Sequence, residues 1–157
     1  MFSSSTTEEF GSLDGGYFGL LSVSYDLPDC FDAPECRLKL DYVYNRSSEN
    51  NVSTRDLERV ASLQFRFDSG RVGVRSDFSG GIGYLGQPDL LGLALVPYVR
   101  LTETVMLVGR YTFLHSFGDN GIRFKRYDSR VEPGRGDRYN ELFLGLNWLL
   151  YGHRFKL

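Results

Sequence analysis

The chain has little of what marks several large classes of protein. Its apolar runs stay below the roughly 18 residues that a membrane-spanning helix needs, so no helical span is expected. Charge of one sign is missing: 18 Lys+Arg stand against 20 Asp+Glu, a net charge of -2. No bulk field of the kind that gathers nucleic acid is present. Proline is scarce, 5 in 157 residues, which argues against a disordered or proline-rich linker. Histidine is nearly absent. His115 and His153 lie far from the cysteine pair, so the ligand set of a zinc site is not there. Neither histidine has a serine or cysteine partner at a recognisable spacing, and the chain is read as not an enzyme. An outer-membrane enzyme such as a barrel lipase is set aside on the same ground. No cofactor is expected.

The amino-terminal MFSSSTTEEFGSLDGG lacks both the basic and the apolar region of a signal peptide. Residues 1–14 are read as a polar loop or the edge of a truncation. Three motif matches are discounted. GIGYLG, Gly81 to Gly86, has the glycine spacing of a dinucleotide fingerprint, but Gln87-Pro88-Asp89 and a strand pattern follow where a helix is required. Arg135-Gly136-Asp137 spells an adhesion tripeptide, and Asn45 and Asn51 head glycosylation patterns, without a context that gives either meaning.

What is abundant points one way. Aromatics reach 15%, nearly all Tyr and Phe, and there are 18 glycines. Alternation with period two recurs along the chain, the mark of strands with two unlike faces. In RLKLDYVYNR, Leu38, Leu40, Tyr42 and Tyr44 oppose Arg37, Lys39, Asp41 and Asn45. In ASLQFRFD, Leu63, Phe65 and Phe67 oppose Gln64, Arg66 and Asp68. The pattern predicts about eight strands, near 16–27, 37–46, 60–68, 72–84, 90–101, 105–116, 138–150 and 153–157, in one all-β, antiparallel up-and-down unit spanning 1–157. The best helical candidate, STRDLERVASL, runs into a strand pattern. Links at 69–71, 101–104 and 151–153 are tight, whereas 47–59 and 117–137 are long and charged. Outer-membrane barrels alternate short and long connections in this way.

LVPYVRLTETVMLVGRYTFLHS, Leu95 to Ser116, sets two arginines among bulky apolar residues. Arg100 shares a face with Gly92, Ala94, Val96 and Tyr98, and Arg110 with Met106, Val108, Thr112 and Ser116, while the opposite faces are apolar and aromatic. An arginine facing lipid at the midplane costs roughly 2–4 kcal/mol, so the arginines belong on a water-filled side. On that side we place Arg37, Lys39, Arg66, Arg75, Arg100, Arg110, Arg154 and Lys156 as an anion pathway. Asp26, Asp41, Asp68, Asp77 and Glu141 share it, and Arg66/Asp68 and Arg75/Asp77 invite local ion pairing. The loop cations Arg123, Lys125, Arg126, Arg130, Arg135 and Arg138 are candidates to concentrate anions at the mouth. Tyr17, Phe18, Tyr25, Tyr44, Tyr84, Tyr98, Phe113, Trp148 and Tyr151 near strand ends fit interfacial girdles. Cys30 and Cys36 leave two readings open, free thiols in a loop or a small disulfide.

RGDRYNELFLGLNWLLYGHRFKL resembles the near-terminal hairpin of phosphate-selective porins, the outer-membrane family O and P. VPYVRLTETVMLVGRYTFLHS is similar to the hairpin before it, and GIRFKRYDSRVEPGRGDRYNE to the loop between. The resemblance implies a transmembrane barrel of sixteen strands in the bacterial outer membrane, usually trimeric, in contact with lipid and passing small anions such as phosphate. This chain has too few strands for that barrel and ends within a strand pattern at Phe155-Lys156-Leu157. The expectation is therefore a carboxy-terminal portion of a larger porin. Alternation alone also fits a soluble, lipocalin-like β-barrel that binds a small ligand, with the apolar face turned inward.

Overall fold

A computed structural model describes residues 2–3, 17–28, 30, 33–46, 54, 56–123, 134–150 and 155–156. The described residues hold strands and turns, with no helix among them, and so no helix long and apolar enough to cross a membrane. The long strands are β2 (Tyr17–Asp26), β3 (Glu35–Arg46), β4 (Leu57–Asp68), β5 (Val72–Gly83), β6 (Leu90–Arg100), β7 (Val105–Ser116) and β10 (Arg138–Leu150). Short pieces complete the set: β1 (Phe2–Ser3), β8 (Ile122–Arg123), β9 (Arg135–Gly136) and β11 (Phe155–Lys156).

The main sheet runs β1-β2-β3-β4-β5-β6-β7-β10-β11. Each long strand is antiparallel to its neighbour in sequence, an up-and-down meander of seven long strands. Nearest-neighbour connection makes this the simplest way to pair strands of two-residue period. Among the described residues β1 and β11, the two edge strands, do not pair with each other.

Three expectations are corrected. The strand expected at 60–68 starts at Leu57. Asp56 adopts a left-handed φ of 61°, and a bulge between Leu57 and Arg59 resets the register, so alternation across 57–60 was hidden in the sequence. The connection 117–137 contains a two-stranded piece in which Ile122 faces Gly136 and Arg123 faces Arg135. Within the expected polar loop 1–14, Phe2 and Ser3 pair with Gly19 and Phe18.

The connections at one end of the sheet are 47–56, 84–89 and 117–137, with 27–34, 69–71 and 101–104 at the other. The first group is tied together. Gln87, buried, donates from Nε2 to the Gly121 carbonyl at 2.8 Å, and the Phe117 amide donates to the Asp89 carbonyl at 3.0 Å. At the other end a disulfide joins Cys30 to Cys36, with Cα atoms 6.0 Å apart.

Very few apolar side chains are buried: Cys36, Tyr98, Ile122 and Leu149 among the described residues. A single sheet has no second layer to bury its apolar face. That face is continuous in register, from Val23 and Leu40 through Leu63, Phe78 and Leu93 to Phe113. It ends on β10, where Leu142 is 77% and Leu144 69% exposed.

Candidate functional site: a cationic row on the polar face

The register fixes which charges share the other face. Asp26 pairs with Arg37, Arg37 with Arg66, and Arg66 with Arg75, so three arginines stand side by side on three adjacent strands. The next row runs Ser24, Lys39, Gln64, Asp77, Ala94, Thr112 and Glu141. Arg100 and Arg110 lie on this face too, as expected. Lys156 is placed in β11 opposite Leu149, without a described side chain, while Arg154, Lys125, Arg126, Arg130 and Tyr151 lie outside the described residues.

Like charges directly opposite one another destabilise a sheet unless counter-charge is supplied. Asp26 supplies it at the end of the row, accepting from Arg37 Nε at 2.5 Å and Nη2 at 3.3 Å. Lys39 donates to Asp41 at 2.7 Å, and Gln64 donates to the same carboxylate at 3.1 Å. Arg66 and Arg75 have no ion pair among the described residues. Both are exposed.

The local pairs suggested by sequence do not form. Asp68 turns to Arg100 on a strand two places away, in a two-pronged bridge of 2.9 and 2.8 Å. It also accepts from the Tyr98 hydroxyl at 2.7 Å and the Gly70 amide at 2.7 Å. Asp77 accepts from Ser62 at 2.9 Å. Gly73, without a side chain, stands between Asp68 and Tyr98 in the register, which leaves room for Tyr98 and the long Arg100 side chain to reach Asp68 across β5. Lysine's long stem lets Lys39 pair with Asp41 despite the spacing.

Arg110 pairs with Glu141, which also accepts from the Tyr139 hydroxyl at 2.7 Å, and lies over the Phe143 ring. Arg100 lies 5.3 Å from the Tyr98 ring centroid. These two arginines are therefore engaged in ion pairs between strands of the sheet. Tyr98 is corrected from the girdle set: it is buried on the polar face, its ring filling the space over Gly73, where a Cβ would collide with it.

A cleft of about 210 Å³ opens at the arginine row, lined by Ser24, Arg37, Lys39, Gln64 and Arg66. Ser24 and Gln64 were missed from sequence because nothing distinguishes a neutral polar residue until register puts it beside cations. The cleft offers guanidinium, ammonium, amide and hydroxyl donors, a set that replaces the hydration of a small oxyanion. Arg123, expected as a loop cation, sits 3.7 Å from Asp56, and Arg135 and Arg138 are exposed. No group of three or more His, Cys, Asp or Glu side chains suited to a metal occurs among the described residues.

Comparison with protein-family models, with curated proteins and with solved structures finds no match.

Proposed function

We propose that the sheet is part of the wall of an outer-membrane β-barrel, with the polar face lining a water-filled channel for passive diffusion of small anions such as phosphate. The observation that carries the reading is the pairing of two unlike faces on one layer. One is apolar and exposed from β2 to β10. The other gathers Arg37, Arg66 and Arg75 in register. A hydrocarbon solvent accounts for the first and an aqueous lumen for the second. Strands of 10 to 13 residues, tilted, match the thickness of a bilayer. The proposal includes the trimeric assembly that the resemblance of Arg135 to Leu157 to phosphate-selective porins implies.

Transit follows from graded binding. An anion entering a narrow pore loses water, and fixed donors stand in for it. Arginine offers a planar fork that meets two oxygens at once. Arg66 and Arg75 present charge that no carboxylate among the described residues pairs with, while Arg37 and Lys39, already shared with Asp26 and Asp41, hold the anion more loosely. Several weak sites pass an ion on, where one tight site would trap it.

A soluble lipocalin-like barrel shares the sheet and differs in which face meets water. Membrane flotation of the full-length protein, followed by reversal potentials across a planar bilayer in a salt gradient, tests both parts. Flotation with an anion-selective reversal potential supports the proposal. A protein that stays in the aqueous fraction sinks the membrane reading, and a cation-selective channel sinks the anion pathway.

A further inference from the structure

The arginine row has neighbours that a site for a bare anion does not need. On β2, β3 and β4 the polar face steps through successive tiers, starting near the disulfide. The first tier is Asp26, Arg37 and Arg66. The second is Ser24, Lys39 and Gln64, and the third Ser22, Asp41 and Ser62. Beyond them Leu20, Val43 and Val60 end the polar patch. Alternate residues on a strand rise about 6.6 Å and adjacent strands stand about 4.8 Å apart, so the patch is roughly 13 Å tall and 10 Å wide. A phosphate on the arginines leaves the other tiers to the rest of a solute.

The tiers differ in chemistry. Positive charge without a partner among the described residues sits in the first, on Arg66. Lys39 donates instead to Asp41 at 2.7 Å. Gln64 donates from Nε2 to the same carboxylate at 3.1 Å, which leaves its carbonyl oxygen as an acceptor. Ser22 hydrogen-bonds Asp41 as well. The cleft of about 210 Å³ spans the first two tiers, with Ser24, Arg37, Lys39, Gln64 and Arg66 as its lining. Asp41 is bonded to two of those lining residues and belongs to the next tier along.

We propose that this cleft selects small phosphorylated sugars, with the phosphate on Arg66 and Arg37 and the sugar hydroxyls on Ser24, Gln64 and Asp41. The proposal rests on the anion-channel reading above and names its solute class. An oxyanion chiefly accepts, so donors alone would serve it. An ionised carboxylate accepts only, so the solute atom that meets Asp41 must donate. A sugar hydroxyl both donates and accepts, which suits a serine hydroxyl, an amide carbonyl and a carboxylate in succession. Lys39 offsets the charge of Asp41, so an acceptor stands beside the arginines without cancelling their attraction for phosphate. A solute that donated from an ammonium group would instead be repelled by Arg37, Lys39 and Arg66 in the same cleft.

The test records chloride current through the full-length protein in a planar bilayer. It reads the concentration of glucose-6-phosphate, inorganic phosphate or glucose that halves the current. The wild type should be blocked by the sugar phosphate at about tenfold lower concentration than by inorganic phosphate, with no block by glucose over the same range. S24A/Q64A changes no charge and should bring the two anions to within about twofold of each other. Asp41→Ala frees Lys39, so it should tighten inorganic phosphate while weakening the sugar phosphate. Equal block by the two anions in the wild type, or a preference that survives S24A/Q64A intact, overturns the proposal. So does an Asp41→Ala channel that tightens both anions alike. Where a variant forms no channel, the wild-type comparison decides alone. A wild type that gives no channel, or a cation-selective one, refutes the anion-channel reading and this inference with it. An anion-selective channel indifferent to the sugar refutes the inference only.

Discussion

Arg66 faces Arg75 directly across β4 and β5, on the polar face, and among the described residues no carboxylate bridges the two. Two guanidinium groups in that position repel unless water or an anion intervenes. Changing both to glutamine should lower the anion-over-cation permeability ratio by roughly tenfold. Changing Arg37 should do less, because Asp26 already holds it. Reversal potentials in a salt gradient decide the matter, and an unchanged ratio in the double variant removes the row from the pathway.

Asp68 gathers Arg100, Tyr98 and the Gly70 amide at one corner of the sheet. Asp68→Ala leaves a half-buried guanidinium and a buried hydroxyl without their acceptor. The cost should be about 1–3 kcal/mol. The midpoint of heat-modified gel migration reports it, and Asp68→Asn should fall in between. No shift in the midpoint would mean that the corner contributes nothing to stability.

Tyr98 occupies the space over Gly73. Gly73→Ala should therefore destabilise the sheet by about 1–3 kcal/mol through overpacking. Combining it with Tyr98→Ala should cost less than the sum of the single changes, since the clash with the ring is then gone and only the close approach to the Phe67 carbonyl remains. Additive costs in urea unfolding would refute the packing account.

Leu144 is 69% exposed on the apolar face. In a water-soluble protein Leu144→Arg at such a position is worth within about 0.5 kcal/mol either way. Facing the bilayer midplane, the same change costs roughly 2–4 kcal/mol. Folding yields into lipid vesicles separate the two, and an arginine variant that inserts as well as the wild type contradicts lipid contact at this residue.

The Cys30–Cys36 disulfide closes the turn between β2 and β3. Neither thiol should react with maleimide before reduction. A serine pair in their place should lower stability by about 2 kcal/mol, the entropy of a short closed loop. Labelling of the unreduced protein at either cysteine would show the bond to be absent.

How much of this was legible in the residues differs by level. Strand after strand, the alternation of Leu38, Leu40 and Tyr42 against Arg37, Lys39 and Asp41 placed the elements to within a few residues. The strand from Leu57 was missed at its start because a bulge and a left-handed Asp56 break the two-residue period there. Of the candidate site, the face of each cation was legible and its partner was not. Arg66 and Asp68 sit on one face, yet Asp68 belongs to Arg100, thirty-two positions later in the chain.

What the sequence determined by itself was the separation of the chain into two unlike faces. Side chains of an extended strand alternate whatever the strand pairs with, so composition at every second position suffices. What only the tertiary structure decided was adjacency: the row Arg37, Arg66, Arg75 and the seat of Tyr98 over Gly73. Those neighbours depend on turn lengths and on one bulge. A slip of a single residue would exchange every partner and turn each face over.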